Sequence, residues 1–184
     1  MPDHRFVDWS QYGNNSIEVM INELCSSLDA QRVEDSYRFL EKLAIPDGEL
    51  QAVAVPVAIV GILNLVDVAE TGLPKLLDLL FEITAVQDDD PDVTPEYLEL
   101  VQRVRGEVAR GYPFYMYYLD KGDLDSQRTC IDLLGLCGYL DLSLAHRICF
   151  ALRRHIVLSQ DPFSKKLVSV WLEDLESLQN TEGV

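Results

Sequence analysis

Helical openings recur along this chain at intervals of a few dozen residues. Caps and apolar positions start a helical stretch at Asn15, Glu49, Pro95 and Ser143, with steps of 34, 46 and 48 residues. Each step has room for two helices and a turn. A pair of amphipathic helices cannot cover its own apolar stripe, so repeated pairs stack and bury a shared core. Stacks of this kind leave long faces open, and their usual work is to hold another macromolecule. The spacing thus points to an all-α chain and to binding.

The local pattern supports this reading. Asn15 with Glu18 forms a capping box, and Ile17, Met20, Ile21, Leu24 and Leu28 then follow one buried stripe. A second helix is expected from about Arg32 to Ala44, with Val33, Tyr37, Leu40 and Ala44 inward, ended by the turn Pro46, Asp47, Gly48. The third, about Glu49 to Ala69, is apolar nearly all round, as in a helix enclosed by neighbours. Pro56 should kink or split it. A fourth follows Pro74 to about Ala85, with Leu76, Leu77, Leu80 and Ile83 inward and Lys75, Asp78 and Glu82 on the other stripe. Thr94 and Pro95 open the next helix, and Gly111 and Pro113 should break it. Asp125 is expected to cap a helix to about Leu136, with Gly138 as its C-cap. Ser143 caps one to about Leu158, and Asp161 with Pro162 starts the last, to about Leu178.

Charge is distributed unevenly. Residues 1–100 carry 5 Lys/Arg and 20 Asp/Glu, a net −15; residues 101–184 carry 10 and 11, a net −1. An acidic half repels phosphate, which argues against direct nucleic-acid binding. The same field attracts a cationic partner, although solubility alone also explains it. Cys25, Cys130, Cys137 and Cys149 form no Cys-x-x-Cys pair and fall on apolar stripes, which fits a reducing cytoplasm. The longest apolar run, Ala52 to Leu63, is too short to span a bilayer.

Three segments carry a family resemblance. Gly122 to Gly138 resembles the second helix of a HEAT unit, with Asp125, Arg128, Leu133, Leu134, Gly135 and Gly138 in matching places. Ala52 to Leu63, with Pro56, looks like the first helix of such a unit. Together with Arg105 to Pro113, their order is similar to short bacterial HEAT-like proteins, several of which are immunity proteins encoded beside polymorphic toxins. The resemblance implies a single domain over residues 1–184, a short HEAT-like α-solenoid of about four antiparallel helix pairs. It also implies a non-enzymatic cytoplasmic protein that neutralises a toxin by occluding its active site. A general scaffold for an endogenous complex is the alternative; a HEAT-fold enzyme such as a bilin lyase is a third.

The expected partner is a protein, a cationic toxin domain. Second helices of HEAT units line the concave surface, so Glu34 and Glu41 on the second helix and Asp78 and Glu82 on the fourth are expected to form one negative groove. A solvated face with ordinary helical ion pairs is the plain alternative. Asp88, Asp89 and Asp90 add an acidic loop. Asp88, Asp90, Asp92 and Glu99 imitate a calcium ladder, but Val93 stands where its turn needs Gly. Tyr112, Phe114, Tyr115, Tyr117 and Tyr118 crowd one stretch and cover two helix faces, so at least one or two should reach the surface. Tyr112, Tyr115, Tyr117 and Tyr118 are therefore candidate anchors, and core packing with wet hydroxyls is the alternative. His146, Arg147, Arg153, Arg154 and His155 make a basic helix, best read as paired with the acidic half or solvated, with a phosphate-binding patch as the alternative. Gly-rich phosphate loops, nucleophile elbows and His-Glu-x-x-His are all missing, so neither catalytic nor metal or cofactor residues are expected.

Overall fold

The computed structural model describes residues 7–12, 16–86 and 93–182, with side chains up to residue 178. Among the described residues there are nine α-helices and no strand. They are α1 (Ser16–Ser26), α2 (Ala30–Ala44), α3 (Ala54–Asn64), α4 (Leu73–Thr84), α5 (Pro95–Ala109), α6 (Tyr112–Lys121), α7 (Leu124–Leu140), α8 (Leu142–Leu158) and α9 (Pro162–Glu182). Among the described residues no helix is long and apolar enough to cross a membrane. Where the sequence reads as one array, the chain divides into two compact units, 1–110 and 111–184.

The first unit is built around α3. Ala54, Val55, Pro56, Val57, Ala58, Val60, Gly61 and Ile62 are all buried, and α1, α2, α4 and α5 pack against them. No side chain caps α3 at Val53. The missing cap costs about 1 kcal/mol. Burial of each Val or Ile contributes roughly 1.5–3 kcal/mol and outweighs it. The helix is shorter than its apolar pattern, 54–64 rather than 49–69. Pro56 accounts for the late start: it lacks the N–H an interior turn needs, so it stands in the first turn and the helix is not split there. α2 starts earlier than expected because Asp29, accepting from the Gln31 N–H at 2.9 Å, supplies its cap.

The connection into α4 is pinned to the end of α1. The Ala69 N–H donates to the Cys25 carbonyl, and the Thr71 hydroxyl donates to the Ser27 carbonyl at 2.5 Å. A Cβ on Gly72 would stand 2.1 Å from the Leu24 carbonyl oxygen, so only glycine allows this approach. At the other end of α4, the Arg105 guanidinium donates to the Thr84 and Val86 carbonyls, each at 3.1 Å. Thr94 and Pro95 open α5 as expected, with the Thr94 hydroxyl accepting from the Tyr97 N–H.

The second unit is built around α7, which packs against α6, α8 and α9. Asp123, not Asp125, caps α7, accepting from the Ser126 N–H at 2.8 Å. Asp125 lies in the first turn and pairs with Arg128. Gly138 is not a cap: α7 runs on to Leu140, and Gly138 faces Leu175 and Ile148. Asp141 ends α7 and caps α8, two residues before the expected Ser143. Asp161 accepts from the Ser164 N–H at the start of α9 and takes both Nε and an NH2 of Arg128 at 3.1 Å, tying α7 to α9. The Arg128 guanidinium and the Ser164 donors hold the Asp161 carboxyl far below the usual carboxylate range. The Trp171 indole lies over Gly135, where a Cβ would stand 2.0 Å from its Cδ2, and its N–H donates to Asp132 at 2.7 Å.

Two outcomes test this packing. Gly135→Ala gains about 1 kcal/mol of helix propensity but overpacks against Trp171 at a cost of about 1–3 kcal/mol. Breaking the Trp171–Asp132 bond adds to that cost. A lowered Tm in calorimetry is expected, and a raised Tm would show that the contact is loose. Asp161 stabilises the fold in its charged form, so its contribution is complete above the unfolded aspartate pKa, about 3.9. It is lost as pH falls through the lower folded value. Asp161→Asn should therefore lower Tm at pH 7, and the difference from the parent should shrink below about pH 4.

Candidate functional site

The four acids expected on α2 and α4 converge on one face of the first unit. The two helices pack through Val33, Leu40 and Ala44 of α2 and Leu76, Leu77, Leu80 and Ile83 of α4, all buried. That packing turns the polar stripes of both helices the same way. Glu34, Glu41, Asp78 and Glu82 are each half-buried along it.

Tyr37 organises the face. Its ring is buried between the helices, 8% exposed, and its hydroxyl donates to Glu82 Oε2 at 2.7 Å. The Lys75 ammonium stands 4.7 Å from the ring centroid and 3.1 Å from Glu34 Oε2. The Arg38 Nε donates to Glu34 Oε1 at 2.7 Å. At this end the expected ion pairing does occur: Arg38 and then Lys75 hold the Glu34 carboxyl below its ordinary range. At the other end the balance reverses. Burial, and then the nearby Glu41 and Asp78 carboxylates, push the Glu82 carboxyl up, against the opposing pull of the Tyr37 hydroxyl. Burial and the same acids, Glu82 first, push the Tyr37 phenol up as well. Among the described residues no Lys or Arg forms an ion pair with Glu41 or Glu82. Glu34 is thus paired twice, whereas the half-buried Glu82 meets the Tyr37 hydroxyl, two neighbouring carboxylates and only the more distant pull of Lys75.

The remaining candidates are placed differently. Asp88, Asp89 and Asp90, with Asp92 of the calcium-like ladder, lie outside the described residues. Among the tyrosines of the second unit, Tyr115 is a correction: it has no exposed surface and is a core side chain of α6. The reason is periodicity, since position 115 shares the inward stripe with Leu119. Tyr117 is 58% exposed and meets Tyr118 edge to face at 5.1 Å, while Tyr112 and Tyr118 are half-buried. On the basic helix α8, Arg153 pairs with Glu176 of α9 and Arg154 with Asp120 of α6. These partners belong to the second unit, not to the acidic half. His155 is buried.

All four cysteines are buried, and none is in a disulfide. Burial pushes the Cys25 and Cys137 thiols up to about 12, so neither offers a thiolate near neutrality. Among the described residues no three His, Cys, Asp or Glu side chains are grouped to hold a metal ion. The part played by Tyr37 was missed at the level of sequence. Its i,i+4 neighbours show only an inward tyrosine; the link to Glu82 spans 45 positions and exists only once α2 meets α4.

No protein-family model, curated protein or solved structure matches this chain.

The raised Glu82 carboxyl has a measurable consequence. A carboxyl whose folded value lies above its unfolded one favours folding below the unfolded pKa, about 4.3. That advantage is lost as pH rises through the folded value, so the charged form is a burden near neutrality. Glu82→Gln keeps an acceptor for Tyr37 and removes the repulsion from Glu41 and Asp78. Tm should rise by about 1–3 °C at pH 7.5, and the gain should vanish toward about pH 4. A loss of Tm at pH 7.5 would mean that the Tyr37 bond outweighs the repulsion.

Proposed function

We propose that this chain is a non-enzymatic binding module of HEAT-like helix pairs and acts as an immunity protein. In this reading it grips a cationic toxin domain and occludes the toxin's active site. The observation that carries the reading is the acidic face of α2 and α4, where the half-buried Glu82 stands close to Glu41 and Asp78. A partner's Lys or Arg side chain meets carboxylates that the fold has already gathered and partly dried. Little further ordering is then needed on binding, which favours affinity. The net −15 of residues 1–100 adds long-range attraction, which raises the association rate and screens out acidic proteins.

Packing within each unit supports the HEAT-like part. In the first, α2 lies against α4 and α3 against α5; in the second, α7 lies against α9. Contact between alternate helices is what stacked hairpins produce. Exposed Tyr117, with half-buried Tyr112 and Tyr118, supplies aromatic surface of the kind that anchors interfaces.

The test uses a toxin encoded beside this gene in its native genome. Asp78→Lys combined with Glu82→Lys should weaken binding by roughly 30-fold or more in calorimetry and abolish protection in co-expression. Unchanged affinity would remove the acidic face from the interaction. A growth defect on deletion without any toxin, with a housekeeping protein bound, would favour the scaffold role.

A further inference from the structure

We propose that the second unit carries a binding site for an alkylammonium cation where the ends of α6, α7 and α8 meet. A cavity of about 150 Å³ opens there, lined by Leu119, Asp120, Gln127, His155, Leu158 and Ser159. A water molecule takes up roughly 30 Å³ of liquid. The cavity thus has room for about five such groups, the size of a butylammonium chain.

Its polar lining is rich in acceptors. His155 is 7% exposed, and its buried Nε2 has no hydrogen-bond partner. Burial lowers the basicity of this imidazole, so near neutral pH it is uncharged, and its unpaired Nε2 sits within the cavity wall, to be reached when the ring turns toward a ligand. The Gln127 amide nitrogen donates to the Gly122 carbonyl at 2.9 Å, which leaves its Oε1 to accept. The Ser159 hydroxyl oxygen already accepts from the Asp161 N–H. Asp120 gives Oδ2 to Arg154 at 2.6 Å and keeps Oδ1. Arg154 is 55% exposed, so it pairs with Asp120 from the solvent side.

Charge decides the sign of the ligand. Leu119 and Asp120 sit in the last turn of α6, and His155 and Leu158 in the last turn of α8. Both turns bring the negative ends of helix dipoles to the cavity, and the positive start of α7 beside Gln127 is capped by the Asp123 carboxylate. Together with the Asp120 carboxylate they favour a cation and repel a carboxylate. Leu119 and Leu158 supply apolar wall for an alkyl stem, and Leu158 is 65% exposed. An ammonium tip carries three donors, which matches this set of acceptors. The ammonium can come from a free polyamine or from a lysine side chain of a protein. The site is independent of the acidic face of α2 and α4, and its test needs no toxin.

The test is an NMR titration of the full chain with n-butylammonium chloride at pH 7.5 and constant ionic strength, beside n-butanol and sodium butyrate. Saturable shifts at Leu119, Gln127, His155 and Leu158 are expected with the ammonium alone. His155→Phe keeps the ring volume and removes the nitrogens, and Gln127→Leu removes the amide; each should weaken binding about tenfold. Gln127→Leu carries the test if His155→Phe fails to fold. Tighter binding of spermidine than of acetyl-lysine methylamide assigns the site to free polyamines, and the reverse order to a protein lysine. Absence of saturation, an equal response to butanol or butyrate, or unchanged affinity in the folded variants would overturn the proposal.

Discussion

The core face of α3 has nowhere to meet water, and the first unit follows from that. A helix apolar on nearly all sides is stable only when others surround it. Here α1, α2, α4 and α5 do so. Each of those helices has one apolar stripe, and giving it to the interior commits the opposite stripe to the surface. The acids of α2 and α4 face outward for this reason. Their convergence on a single face then follows from the direct packing of α2 on α4. In the second unit α7 has the same place. Glycine at 135 lets the Trp171 ring lie against the backbone, and the Arg128–Asp161 pair fastens the start of α9.

Electrostatics on the acidic face is a product of partial burial. A fully solvated row of Glu and Asp has ordinary carboxyls and weak mutual repulsion. The buried Tyr37 ring and the surrounding leucines take water away from Glu82, and the repulsion from Glu41 and Asp78 then matters. Lys75 is drawn toward the Tyr37 ring and Glu34 instead. The fold thus pairs Glu34 directly with two cations and sets Glu82 in a drier place beside other carboxylates.

Local signals in the chain were accurate where the physics is local. Thr94 with Pro95, Asp161 with Pro162, and the break at Gly111 and Pro113 act within a turn or two of themselves, and the structure has them where the pattern puts them. The errors arise where equivalent residues compete. Asp123 and Asp125 can each cap α7, and Asp141 and Ser143 can each cap α8; in both cases the earlier aspartate wins because the helix extends back to it. Gly138 looks like a stop signal, yet the contact with Leu175 and Ile148 carries the helix past it. Tyr115 could not be separated from its neighbours by composition. Only its place on the stripe with Leu119 put it inside.

By itself the sequence determined the helical class, the starts of α5 and α9, the acidic bias of the first hundred residues and the four inward cysteines. These depend on period, capping chemistry and composition, which neighbouring residues express without help. Tertiary structure alone decided that Tyr37 would reach Glu82, that Lys75 would serve Glu34, and that Asp120, Gln127 and His155 would line one cavity. Those contacts join residues far apart in the chain. They exist only after burial of the apolar stripes has chosen which helices become neighbours.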